Sequence, residues 1–194
     1  MITYGDEAAT HTLDIYEDMR CPYCATLERA LGPNLRGLAD QGTVKLRYHV
    51  ANFLDRGNAE GGSTSALAAL GAARQYSGDS VGTLRTTLLE NLPETGSSQA
   101  FADPLTLLGF AAKAPGVRNA EFDQAVVDGA YREWALEAGQ AAYESLKAAW
   151  SGSGRTDQCG VPAVFLDGRF LDLMDDFDTV SPTRLTQLVA ENLA

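Results

Sequence analysis

The sequence passes from a strand-like run, Thr12-Leu13-Asp14-Ile15-Tyr16, through Arg20-Cys21-Pro22-Tyr23-Cys24, into a run of good helix formers, Ala25-Thr26-Leu27-Glu28-Arg29-Ala30-Leu31. That junction constrains the fold more than any other stretch. Leu27, Leu31, Leu35 and Leu38 keep helical spacing, so the helix has one apolar face to bury. Pro22 suits the first helical position, where its missing N–H would have no intrahelical partner. Cys21 then falls at the N-cap, where unpaired N–H groups and the positive end of the helix dipole favour a thiolate. Arg20 adds a positive charge beside it. Cys24, one turn further in, is expected to be the less acidic sulfur, so one thiol suits attack and the other suits resolution. A static disulfide and half of a zinc site are the other uses of this spacing.

Past the motif, Pro33 predicts a kink in the helix and Gly42 a left-handed stop. Val44-Lys45-Leu46-Arg47-Tyr48-His49-Val50 alternates apolar and polar residues and reads as a second strand. Strand, helix, strand makes a right-handed βαβ unit with parallel strands, and ligand sites in such units lie beyond the carboxyl ends of the strands, where Cys21 sits. Ahead of it, residues 1–10 are expected to be extended, with a turn at Gly5-Asp6.

From about residue 55 the texture changes. Asp55-Arg56-Gly57-Asn58 and Gly61-Gly62-Ser63 are loop chemistry, and strand character almost vanishes up to Trp150. Helices are expected near 64–76, 79–91, 100–113 and 119–150, the last broken near Gly129. Phe122, Val126, Ala130, Trp134, Ala138, Ala142, Leu146 and Trp150 recur by fours and predict one inward stripe. Ser151-Gly152-Ser153-Gly154 predicts a connector. Apolar runs 161–166 and 169–173 then flank Asp167-Gly168, a hairpin signal. A final helix follows, with Ser181 as N-cap, Pro182 at its first position and Leu185, Leu188, Val189 and Leu193 on one face. The order gives an α/β fold in three stretches: a βαβ half over 1–55, a helical block over 56–154 and a ββα half over 155–194.

Val161-Pro162 opens the third stretch. A cis peptide there would turn the backbone of Val161 toward the cysteines, where it could pair with an extended substrate strand; a trans proline on an edge strand is the plainer alternative. With Cys21-Pro22-Tyr23-Cys24 after a strand, the proline-containing helix, the helical insertion, and Gly160-Val161-Pro162 before a hairpin and a last helix, the chain resembles the DsbA-like branch of the thioredoxin superfamily over almost its whole length. The resemblance implies a thioredoxin fold with a large inserted all-helical domain, a cis Pro162, and thiol–disulfide exchange, by oxidation or isomerisation, with cysteines of protein or peptide substrates. It makes Cys21 the nucleophile and Cys24 the resolving thiol, with Arg20, Pro22, Tyr23, Val161 and Pro162 shaping the site. It calls for no metal and no cofactor other than the redox-active Cys21–Cys24 disulfide, and for a redox partner that the sequence does not identify.

Two residues depart from that pattern. Many relatives carry an acid six residues before the first motif cysteine, able to relay protons to the buried thiol; here that residue is Ile15. Asp14 and Glu17 are the nearest acids. Asp14 is the candidate carried forward, although strand parity points it away from Ile15's face and a solvated or capping acid is the alternative. Cys159, three residues before Pro162, is either a third redox thiol at the rim or a half-buried structural thiol. His11 and His49 read as structural.

The charge balance, 15 basic against 26 acidic residues for a net −11, is scattered along the chain, so neither nucleic acid nor an anionic membrane surface is an expected partner. Three cysteines exclude a disulfide-dense scaffold. No apolar run approaches a membrane span and no signal-peptide pattern opens the chain, which therefore reads as cytoplasmic as it stands, or as an exported domain with its leader removed. Two other functions compete. A glutathione-linked glutaredoxin-like reductase shares Cys-Pro-Tyr-Cys but is much shorter. A non-catalytic module would hold extended peptides in the Val161–Pro162 groove and use the cysteines as a clip.

Overall fold

A computed structural model describes residues 1–55, 57–93, 99–175 and 178–193; Arg56, expected in a loop, lies outside them. Strands β1 (Ile2–Tyr4), β2 (His11–Asp18), β3 (Val44–Ala51), β4 (Ala163–Leu166) and β5 (Arg169–Leu171) make one sheet in the order β1-β3-β2-β4-β5. Helix α1 (Pro22–Asp40) carries the chain from β2 to the parallel β3, which is the expected βαβ unit. The remaining pairs are antiparallel. The extended N-terminus pairs as an edge strand, Ile2 opposite Tyr48, and then turns at Gly5 with φ +98°. Asp6 secures that turn by accepting the Ala8 N–H at 2.9 Å.

β2 is covered on both faces, and from Leu13 to Asp18 every residue is buried. Leu13 and Ile15 pack with Leu46, Tyr48 and Val164 against Leu27, Leu31 and Leu35 of α1. Leu185 and Val189 of α7 (Pro182–Leu193) close the same core. Tyr16 faces the other way and packs with Ala163 and Phe165 against Leu146 and Trp150. Full burial of one such leucine stabilises the fold by about 1.5–3 kcal/mol. Helix α1 runs through Pro33, which lies on its exposed side, and ends before Gly42 at φ +73°.

Between β3 and β4 come a short 3-10 turn (Phe53–Asp55) and helices α2 (Gly62–Tyr76), α3 (Ser80–Glu90), α4 (Pro104–Ala111), α5 (Ala120–Asp128) and α6 (Arg132–Gly152). Every residue of α2 from Gly62 to Ala73 is buried, and its small side chains let neighbours close around it. Gly62 and Ser63, expected in a loop, begin that helix. The helix expected over 100–113 is shortened because Asp103 caps it, accepting the Thr106 N–H at 2.7 Å, with Pro104 at its first position.

The inward stripe spaced by fours does not run through. Gly129 ends α5 in the left-handed conformation at φ +62°, and the chain restarts at Arg132 with a new phase. Phe122 and Val126 are buried as expected, but Ala130 and Trp134 are exposed. The buried row of α6 is Ala135, Gly139, Ala142, Leu146 and Trp150. Ser151 and Gly152 extend α6 instead of opening a connector. The hairpin turns at Asp167 and Gly168, with φ +48° and +83°. Ser181 caps α7 by accepting the Arg184 N–H. A two-residue pair, Met174–Asp175 (β6) with Asp178–Thr179 (β7), stands apart from the main sheet. Among the described residues no helix is long and apolar enough to cross a membrane.

Candidate active site

The chain leaves β2 at Asp18 and enters α1 at Pro22 through a tight turn. The Cys21 N–H donates to the Asp18 carbonyl at 2.9 Å, and the Cys21 carbonyl accepts the Ala25 N–H at 3.1 Å. Cys21 is the N-cap, with extended φ −77° and ψ 117°, and Pro22 is the first helical residue. The cap side chain is therefore a sulfur. The Cys24 thiol, hydrogen-bonded to that sulfur, does most to hold Cys21 below the ordinary thiol range; burial opposes it, the N–H groups of Cys24 and Tyr23 help, and the Asp18 charge opposes. Cys24 stands well above the ordinary range. Burial is the main cause, joined by the bond to Cys21 and the charges of Cys21 and Glu17, against one N–H from Asp18. Both thiols are free.

Val161 and Pro162 arrive at the same point from the other end of the chain. Their peptide bond is cis, and the Cys21 Sγ donates to the Val161 carbonyl at 3.5 Å. Under that turn Cys21 is only 5 % exposed, less open than a helix terminus alone suggests, and Cys24 is 2 % exposed. Pro22 and Tyr23 present the motif to solvent, Tyr23 at 42 %. Arg20 is engaged sideways: its Nη2 meets Asp55 Oδ1 at 2.6 Å and its Nε donates to Ser63 Oγ at 3.0 Å. Cys159 is half-buried beside the Trp150–Phe165 cluster, within the field of Lys147.

The structure places the acids differently from the sequence reading. Asp14 accepts both Arg47 Nε (2.7 Å) and Nη2 (2.6 Å) and pairs with His49 Nε2 at 2.7 Å. Burial pushes its carboxyl up, but the His49 and Arg47 bonds outweigh that and hold it low. The acids whose charges reach the sulfurs are the last two residues of β2. Glu17, on Ile15's face, is 2 % exposed and takes Arg85 Nε of α3 at 2.6 Å. Arg85 also donates Nη1 to Glu28 at 2.6 Å and lies 3.8 Å above the Tyr48 ring. Burial raises the Glu17 carboxyl in spite of Arg85.

Asp18 leaves the opposite face and is 0 % exposed. Its Oδ1 accepts Ser63 Oγ at 2.7 Å and the Arg20 N–H at 2.9 Å, and its Oδ2 accepts the Leu54 N–H at 3.2 Å. Burial pushes its carboxyl up to about 6, against those three donors. One signal in the sequence could have found this pair: two acids in succession at the end of a strand flanked on both sides by helices must bury at least one charge. Among the described residues no group of three or more His, Cys, Asp or Glu side chains gathers as a metal site would need. The arrangement can hold one sulfur as a thiolate, keep its neighbour protonated, and present backbone to an extended chain at the same place.

A family model described as Thioredoxin matches residues 1–183. Among solved structures, the chain is similar to MdbA, a thiol-disulfide oxidoreductase from Corynebacterium matruchotii, at 24 % identity and TM-score 0.70, covering 93 % of this chain and 82 % of that one. It is similar to MdbA from Actinomyces oris at 22 % identity and TM-score 0.74, covering 97 % and 84 %. BdbD from Bacillus subtilis matches at 16 % identity and TM-score 0.74, covering 98 % and 91 %. No curated protein matches the chain.

Proposed function

The chain belongs to the thioredoxin family, and from that premise we propose that it is a DsbA-like thiol:disulfide oxidoreductase whose Cys21–Cys24 pair exchanges disulfides with cysteines of protein substrates. The observation that carries this reading is the meeting of a low-set thiol at a helix N-cap with the carbonyl of Val161 before a cis proline. In the oxidising direction a substrate thiolate attacks the Cys21 sulfur of the Cys21–Cys24 disulfide. Cys24 leaves as a thiolate and takes up a proton, as its raised affinity favours. A second substrate thiolate then attacks the substrate sulfur of the mixed disulfide, and Cys21 leaves as a thiolate. The substrate loses two electrons and the protein gains them. A leaving thiol that is readily ionised leaves faster, so the asymmetry of the pair supports oxidation over reduction. Isomerisation uses the same mixed disulfide, with Cys21 attacking a substrate disulfide first.

Pro22 and Tyr23 offer the exposed rim for substrate contact, and Val161 with Pro162 offers the backbone. Residues 1–55 and 155–194 act as the thioredoxin unit and 56–154 as the inserted domain that walls it. The five helices found among the described residues between β3 and β4 favour this reading over a glutaredoxin-like one. Cell extract exposed to Cys24→Ala should yield mixed disulfides with protein thiols, and Cys21→Ser should yield none. Absence of mixed disulfides from Cys24→Ala, with full peptide binding by the Cys21→Ser/Cys24→Ser variant, would replace the enzyme with a binding module. Turnover that requires glutathione would replace it with the glutaredoxin-like reductase.

A further inference from the structure

A cavity of about 360 Å³ lies where the helical block meets the sheet. Leu67 and Leu70 of α2, Ala138 and Ala142 of α6 and Val50 of β3 give it apolar walls. None of Cys21, Cys24, Val161 and Pro162 is part of its lining. Its polar groups are fixed from behind: His49 Nε2 meets Asp14 Oδ1 at 2.7 Å, the His49 ring stacks on Tyr16 at 4.4 Å, and the Tyr16 hydroxyl pairs with Ser145 Oγ at 2.9 Å. Trp134, 41 % exposed, brings the cavity to solvent. Gly71 makes room for that indole, since a Cβ there would stand 2.7 Å from Trp134 Cζ3. The chain carries 26 acidic residues, yet no carboxylate is found among the described lining residues. The one permanently charged side chain there is Arg74. Its Nη1 donates to the Met1 carbonyl at 2.9 Å, and among the described residues it forms no ion pair.

We propose that this cavity binds a medium-chain aliphatic carboxylate, its head group paired with Arg74 and its chain lying between α2 and α6. Small-molecule sites are concave, mostly apolar and supplied with a few fixed polar groups, and this volume falls at the small end of their range. It suits a ligand of roughly ten to fifteen non-hydrogen atoms. The alanines of α6 leave a slot for a slim chain rather than a fused ring. The planar fork of an arginine matches a carboxylate, and here no protein carboxylate competes for it. A cationic amphiphile would meet Arg74 with the wrong sign. The site is separate from the exchange reaction and does not rest on it. A ligand seated there would touch α2, α6 and β3 together, and so would bridge the helical block and the sheet.

The test titrates the full chain with decanoate, kept below its micellar concentration, by calorimetry and by tryptophan emission. Acetate, which lacks the chain, and decyltrimethylammonium, which reverses the charge, are the control probes. Decanoate should bind saturably at one site per chain and change the emission, while both controls bind at least ~10-fold more weakly. Arg74→Met removes the charge at an exposed position and should weaken decanoate by about 5-fold. Ala141 is exposed and lines the cavity, so Ala141→Leu should leave the fold intact, narrow the slot and abolish binding. Trp134→Phe keeps Trp150, which lies outside the lining, and should lose the emission response while still taking up decanoate. Absence of saturable binding, uptake of several molecules per chain, or equal affinity for the cation would overturn the proposal. So would an affinity unchanged in Arg74→Met, or an emission response that survives in Trp134→Phe. If Arg74→Met does not fold, undiminished binding by Ala141→Leu overturns it instead.

Discussion

Replacing Arg85 by methionine is the severest test of how the helical block is joined to the sheet. The guanidinium is 3 % exposed and sits between two carboxylates, Glu17 of β2 and Glu28 of α1, with Tyr48 of β3 beneath it. Glu28 would keep Arg36, but among the described residues Glu17 has no second side-chain partner. Removing one member of a buried ion pair costs about 3–5 kcal/mol, because the other charge is left without compensation. Loss of the cation over the Tyr48 ring lies within that range. With a urea m-value of about 2 kcal/mol/M, the midpoint should fall by roughly 1.5–2.5 M. Glu17→Gln in the same chain removes the stranded charge and should restore at least half of the loss. The pH dependence has a definite sign. Burial already raises Glu17 above its unfolded value, and without Arg85 it rises further. The protonated form is favoured in the fold, so stability is greatest in acid and is lost as pH climbs from about 4.3, the unfolded value, through the raised folded one. The deficit of Arg85→Met should therefore shrink toward pH 4 to 5. A midpoint shift below about 0.5 M, or a double variant no more stable than the single one, would refute the picture of a desolvated pair welding α3 to the sheet.

Asp18 obeys the same sign rule, with a carboxyl raised from 3.8 to about 6. Its contribution is fully present below pH 3.8 and is lost by about pH 6, a swing on the order of 3 kcal/mol that should show as the difference between wild-type and Asp18→Asn unfolding curves across that window. Gly62→Ala would set a Cβ 2.0 Å from the Ala100 carbonyl oxygen and 2.8 Å from Arg20 Cδ; calorimetry should show a loss of about 1–3 kcal/mol from overpacking. Mass-spectrometric alkylation of the dithiol form should find Cys21 modified with an inflection below that of a free thiol and Cys24 untouched until well above it; equal reactivity would contradict the asymmetry. Asn119→Ala removes the acceptor for the Phe122 N–H at the start of α5 and should cost about 1 kcal/mol by thermal unfolding.

The parts legible in the sequence were those fixed by neighbours. The βαβ unit, Cys21 at a cap, and the Asp167-Gly168 hairpin all follow from residues within a few positions of one another. Even the distant Val161–Pro162 could be paired with the motif, but only through resemblance to a family. What stayed hidden depended on partners far along the chain. Arg85 is 68 residues from Glu17, and Ser63 is 45 from Asp18, and no local pattern marks either. Asp14 looked the better acid because it precedes Ile15. Strand parity sends it instead to Arg47 and His49 on the adjoining strand. The stripe spaced by fours failed for a local reason, since one glycine in a left-handed conformation resets the helix phase and turns Trp134 outward.

Glu17 and Asp18 project to opposite sides of one strand, and each is gripped by a side chain from a different helix of the inserted block. The turn that carries the sulfur pair is thus braced from behind, while Pro22 and Tyr23 stand exposed in front. Substitutions at positions 63 and 85 would therefore reach the end of that strand from within the helical block, without touching the dipeptide between the cysteines.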